Sequence, residues 1–116
     1  MIGMSIEELA AASGLPVETV TALENGEFAG EPHALFESAV SDVWLEIGFG
    51  SGEHLVGRAA ANPDVGFIGC EPWLDGVAAL LAQAPPTLLP RLRVLADDAR
   101  PLLAALTDAS LGRVFV

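Results

Sequence analysis

The chain has no lysine and only five arginines among its 116 residues, and none of the five precedes residue 58. Proteins that grip nucleic acid neutralise phosphates with clustered cations. Scattered arginines and a net charge of −11 exclude such a face here, and any basic surface that a nucleic acid needs has to lie elsewhere. Cysteine is nearly absent too. The single Cys70 excludes an internal disulfide, and its place at the end of an apolar run suits a buried thiol in a reducing compartment. No apolar run reaches the roughly 18 residues of a membrane span without a charge or proline, and the N-terminus lacks the basic start of a signal peptide. A cytoplasmic location without membrane contact is expected.

What is present is apolar: 52% hydrophobic residues against 18% charged disfavour disorder, and a mean hydropathy of +0.49 is high for a soluble protein. The length allows one domain with an appendage. Residues 5–26 alternate helix and turn signals. Ser5 and Glu8 can form a capping box, Gly14 ends a first helix, Pro16 opens a second and Gly26 stops it. This is a helix-turn-helix pattern. Its composition argues against an operator reader, because Glu18 and Glu24 face where phosphates would be and no basic residue is near. Residues 27–42 read as a linker with one helical turn around Leu35 and Phe36, so the expected division is a helical segment over 1–41 and an α/β domain over 42–116.

From Val43 onward strands alternate with helices, the pattern of a parallel sheet with crossover helices. The spacing predicts strands over 43–47, 65–70, 92–96 and 112–116, and helices over 52–61, 73–83 and 100–106. A right-handed crossover places strand 4 beside strand 1. Ending at Val116, strand 4 is expected to present a long apolar edge, covered by another chain, prone to self-association, or marking the chain as a fragment.

Strand 1 runs into Gly48, Gly50 and Gly52 and then a helix, a turn that lets a small molecule with an anionic end lie against bare backbone. An open parallel sheet delivers three acids to the same crevice: Glu46 before the glycines, Glu71 after strand 2 and Asp98 after strand 3. Glu71 follows Gly52 by about 20 residues, the separation at which an acid accepts ribose hydroxyls. A dinucleotide turn needs glycine near Leu55, and Glu46 would repel a pyrophosphate. S-adenosylmethionine, which carries amine and sulfonium charges, fits better, with Asp98 or its neighbour Asp97 accepting from the adenine amine. No metal ligand set is read from the pattern. Trp73, at a helix start, is read as a core aromatic, His54 as a packing or capping residue, and His33 as exposed.

The runs Leu45-Glu46-Ile47-Gly48-Phe49-Gly50-Ser51-Gly52-Glu53-His54-Leu55, Asn62-Pro63-Asp64, Phe67-Ile68-Gly69-Cys70-Glu71-Pro72, Asp97-Asp98-Ala99-Arg100 and Asp108-Ala109-Ser110-Leu111 resemble bacterial tRNA (guanine-N7)-methyltransferases. The resemblance covers residues 42–116. It implies an incomplete Rossmann-like α/β methyltransferase fold of four parallel strands, S-adenosylmethionine as cofactor and tRNA as partner. Glu46, Glu71 and Asp98 are then the cofactor-contacting acids, and Gly48, Gly50 and Gly52 the cradle. In the family, strand 4 leads into Phe-Pro-Asp-Pro-Trp and a basic segment, which supply the catalytic aspartate and the tRNA-facing surface. Both are expected beyond Val116, so the chain should bind cofactor weakly at best and transfer nothing. The family's basic segment before strand 1 is missing, and residues 5–26 resemble a Cro/repressor-like helix-turn-helix instead. The alternatives are a DNA-binding regulator whose α/β part senses a nucleoside, and a methyltransferase acting on a small molecule.

Overall fold

A computed structural model describes residues 30–36, 39–96 and 98–116. The helix-turn-helix pattern of residues 5–26 lies outside them. Four strands form one parallel sheet: β1 (Asp42–Ile47), β2 (Val65–Cys70), β3 (Leu92–Leu95) and β4 (Arg113–Phe115), in the spatial order β3-β2-β1-β4. Helix α1 (Glu53–Ala61) connects β1 to β2, α2 (Leu74–Gln83) connects β2 to β3, and α3 (Arg100–Ala105) connects β3 to β4. Element bounds fall within a residue of the sequence-based ones at nearly every end. The order reverses about β1, whose carboxyl end is therefore the position at which ligands of open α/β sheets bind.

Register fixes what each face presents. Trp44, Phe67, Leu92 and Arg113 form one row across the sheet, and Glu46, Gly69, Val94 and Phe115 the next. The Trp44 ring meets Phe67 and Phe115 edge-on, with centroids 5.6 and 5.9 Å apart. β2 is buried along its whole length, as a central strand covered on both faces must be. Its two glycines serve that covering. A side chain at Gly69 would strike Phe49 and Leu55, and one at Gly66 would strike the Phe36 ring. Leu45, Leu55, Ile68, Leu80 and Leu102 are wholly buried, each contributing about 2 kcal/mol of transfer free energy.

Residues 30–36 precede the expected boundary at residue 42, yet they pack on this same core. A 3-10 turn over Pro32–Leu35 buries Pro32 and Leu35, and the Phe36 ring lies over Gly66. Gly30 donates to Ala105 O at 3.0 Å and accepts from Thr107 N–H at 2.9 Å, tying the segment to the end of α3. Arg93 closes the contact, with its guanidinium donating to Leu35 O at 2.7 Å.

β4 is an edge strand as expected, shorter than the predicted 112–116, beginning with an exposed arginine and leaving Val114 and Val116 exposed. One expectation fails here. Trp73 is 54% exposed, because it precedes α2 in extended backbone and the helix buries Gly76, Val77 and Leu80 instead.

Candidate functional site

Gly48, Gly50 and Gly52 have φ of 72°, 63° and 94°, a left-handed backbone that costs a residue with a Cβ about 1–2 kcal/mol. The loop has one packed side and one open side. A Cβ at Gly48 or Gly50 would meet nothing within 4 Å, whereas one at Gly52 would lie 2.6 Å from Leu80. Helix α2 packs beneath it. Gly76, Leu80 and Gln83, four and three residues apart, share one helix face. A Cβ at Gly76 would collide with the Gly50 carbonyl, Leu80 fills the space behind Gly52, and Gln83 Nε2 donates to Ser51 O at 2.6 Å. Three consecutive loop residues are thereby held by one helix.

Glu71 holds the loop from the other side. Its carboxylate is buried to 9% exposure and accepts the Gly50 N–H at 2.8 Å through Oε1 and the Trp73 N–H at 3.0 Å through Oε2. Its own N–H donates to Leu95 O at 3.0 Å. One residue therefore joins the β1 loop, the end of β2 and the end of β3. A carboxylate oxygen has two lone pairs, so one acceptor position on each oxygen is not taken by these two amides.

Glu46 is 8% exposed and reaches Arg58 of α1, whose Nη1 donates to Oε1 at 2.5 Å. The Arg58 guanidinium also lies 3.9 Å from the centroid of the Phe115 ring on β4. Glu46 and Phe115 are register partners on neighbouring strands, so Arg58 spans both. Asp98 follows β3 and faces its own helix start. It accepts Arg100 N–H at 2.9 Å, Nε at 3.1 Å and Nη2 at 3.2 Å, and the bonds from Arg100 hold its carboxyl below the usual aspartate range. Asp97 lies outside the described residues.

The structure thus joins Glu71 to the glycine turn by a direct hydrogen bond, while Glu46 and Asp98 are engaged by arginines of their own. Ser51 donates its hydroxyl to Glu53 at 2.7 and 2.8 Å, which keeps that carboxyl ionised below its usual range in the first turn of α1. The helix N-terminus therefore carries a negative charge beside the cradle. His54 is exposed and α1 has no side-chain cap, so the packing or capping role expected of this histidine is not seen. Sequence reasoning missed Arg58 and the α2 face. A glycine at Gly76 inside a helix pattern was a signal of close backbone approach, whereas a twelve-residue separation gives no hint of the Glu46–Arg58 pair.

Each of the five arginines has a structural partner. Arg58 binds Glu46, Arg91 the carbonyls of Ala59, Asn62 and Val65, Arg93 the Leu35 and Leu92 carbonyls, and Arg100 binds Asp98. Arg113 stacks 5.0 Å from the Trp44 ring centroid. No run of free cations is left on the described surface for phosphates. Among the described residues no helix is long and apolar enough to cross a membrane.

A parallel sheet of order 3-2-1-4 with helical crossovers, an open glycine turn after β1 and a buried acid bonded into that turn define a Rossmann-like α/β protein. The Methyltransf_4 family model, described as a methyltransferase, matches residues 41–116, and the chain belongs to that family. It is 52% identical over 103 residues to the tRNA (guanine-N(7)-)-methyltransferase of Paramagnetospirillum magneticum, an alignment covering 88% of this chain and 43% of that protein. With the enzyme of the same name from Hyphomonas neptunium it shares 56% identity over 73 residues, covering 63% of this chain and 33% of that one. The chain spans less than half the length of these curated relatives. An alignment over 88% of this chain also reaches well ahead of residue 41, so part of the segment with the helix-turn-helix pattern is shared with a tRNA methyltransferase.

Proposed function

We propose that this chain is the cofactor-binding part of an S-adenosylmethionine-dependent tRNA (guanine-N7)-methyltransferase. The observation that carries the reading is the Gly48–Gly52 turn, open above Gly48 and Gly50 and bonded through the Gly50 amide to the buried Glu71. The identity with tRNA (guanine-N(7)-)-methyltransferases supports the reaction and the RNA partner.

The residues fit the cofactor. Backbone without Cβ atoms at Gly48 and Gly50 leaves room for a flat, elongated ligand. Each Glu71 oxygen keeps one acceptor position, the number that the two hydroxyls of a ribose require. Glu46, next to the turn and paired with Arg58, serves the ligand's amine as a hydrogen-bond acceptor, and Asp98 serves the adenine amine in competition with Arg100. The bound cofactor supplies an electrophilic methyl group on a sulfonium sulfur. Guanine N7 offers a lone pair and carries no proton, so the acids described here need only hold and orient, and the rate gain comes from alignment of the two centres. Contacts to tRNA phosphates fall to residues other than the five engaged arginines.

The reading is tested by titrating S-adenosylmethionine into the chain by calorimetry. A saturable heat is expected. Glu71→Ala, which removes two hydrogen bonds from a charged acceptor, should weaken binding about tenfold or more. Indistinguishable heats for the two proteins would sink the assignment.

A further inference from the structure

We infer that Arg58 is a positioning residue that sets the charge the glycine crevice shows to its ligand, and thereby the balance of affinity between a cationic cofactor and its neutral product. This rests on the S-adenosylmethionine reading above.

Glu46 stands two residues before the first glycine and is almost wholly buried. A lone carboxylate there would be costly to bury and would strongly favour any cationic group entering the crevice. It is not alone. Arg58 meets it at 2.5 Å, with side-chain exposures of 34% for Arg58 and 11% for Glu46. The guanidinium is held in place by a second contact, the Phe115 ring at 3.9 Å, which a mobile surface arginine would not have. Sequence neighbours do not build this arrangement. Arg58 projects from the second turn of α1 over β1 and onto β4, so three elements converge on one charge pair.

The pair presents little net charge at the turn. S-adenosylmethionine carries a positive sulfonium that S-adenosylhomocysteine lacks, and the two are otherwise nearly the same shape. With Arg58 in place, the crevice distinguishes them weakly by charge. Without it, the Glu46 carboxylate faces the ligand uncompensated and favours the sulfonium. With Glu46 neutralised instead, the Arg58 cation disfavours it. Arg58 thus tunes how readily product is exchanged for fresh cofactor, without needing to touch either.

The test measures Kd for both ligands, at low and high salt, in the unsubstituted chain and in Arg58→Gln, Glu46→Gln and the double variant. The ratio of Kd for S-adenosylhomocysteine to that for S-adenosylmethionine should rise about threefold or more in Arg58→Gln, fall in Glu46→Gln, and return towards the starting value in the double variant. Both single-variant shifts should shrink as salt rises. A purely structural role lowers both affinities together and leaves the ratio unchanged, which overturns the inference alone. Failure of the unsubstituted chain to bind either ligand overturns the functional reading and the inference with it. If Arg58→Gln does not fold, Glu46→Gln carries the test by its opposite sign, with Arg58→Lys expected to keep the ratio.

Discussion

The Glu71 carboxylate accepts the Gly50 amide at 2.8 Å across 21 residues of sequence, and the second Glu71 oxygen accepts the Trp73 amide at 3.0 Å. Glu71→Ala leaves two amides without an acceptor beside a buried space, so the chain itself should lose about 1–3 kcal/mol of stability before any ligand is considered. Glu71→Gln keeps one acceptor oxygen and should recover part of that loss. Urea denaturation of the two variants checks the order.

Gly76 and Gly48 make opposite demands on a methyl group. Alanine in a helix interior is favoured over glycine by about 1 kcal/mol. At Gly76 that gain is outweighed, because the added methyl meets the Gly50 carbonyl, which is backbone and cannot swing away. Gly76→Ala should be destabilised by about 2 kcal/mol net. Gly48→Ala meets open space and carries only the left-handed strain, about 1–2 kcal/mol. Its larger effect should be on cofactor affinity, since the methyl occupies the open side of the turn. Denaturation and ligand titration on the same pair separate the two effects.

Arg91 gathers the end of α1 and the start of β2 through three carbonyls: Ala59 at 2.9 Å, Val65 at 3.0 Å and Asn62 at 3.2 Å. Arg91→Ala should cost about 2–3 kcal/mol. Arg91→Lys should recover less than half of it, because an ammonium is a point charge and cannot fork to three acceptors. A lysine variant as stable as the parent would contradict this account.

Asp98 and Arg100 make a pH prediction. The Arg100 bonds depress the folded-state pKa of Asp98, so whatever this pair adds is fully present above the unfolded aspartate value and is lost as pH falls through the lowered folded one. In Arg100→Ala the Asp98 carboxyl should titrate higher, nearer the usual aspartate range. Carboxyl-carbon NMR titration reads this directly. Ser51→Ala should move Glu53 the same way, since the Ser51 hydroxyl is the main cause of its lowered value.

The βα alternation was legible from Val43 onward because apolar runs of strand length are punctuated by Gly, Asn-Pro-Asp and Ala-Pro-Pro. The left-handed turn after β1 was legible because three glycines at alternate positions mark backbone that a Cβ would strain. What escaped the sequence depends on contacts between distant residues. Leu35 and Phe36 looked like part of a linker, yet Gly66 leaves a space that the Phe36 ring fills. An aromatic at a helix start is usually core, yet Trp73 is half exposed. Here the core position on the first turn of α2 belongs to a glycine, whose smallness the loop requires. The Glu46–Arg58 pair follows only from the angle at which α1 crosses the sheet, which local patterns do not encode.

Gly50, Ser51 and Gly52 are each held by the same face of α2 through Gly76, Gln83 and Leu80. The conformational entropy of the turn is therefore surrendered when the domain folds, not when a ligand arrives. Association should behave as a single bimolecular step, with a rate that rises linearly with ligand concentration and shows no plateau from loop ordering.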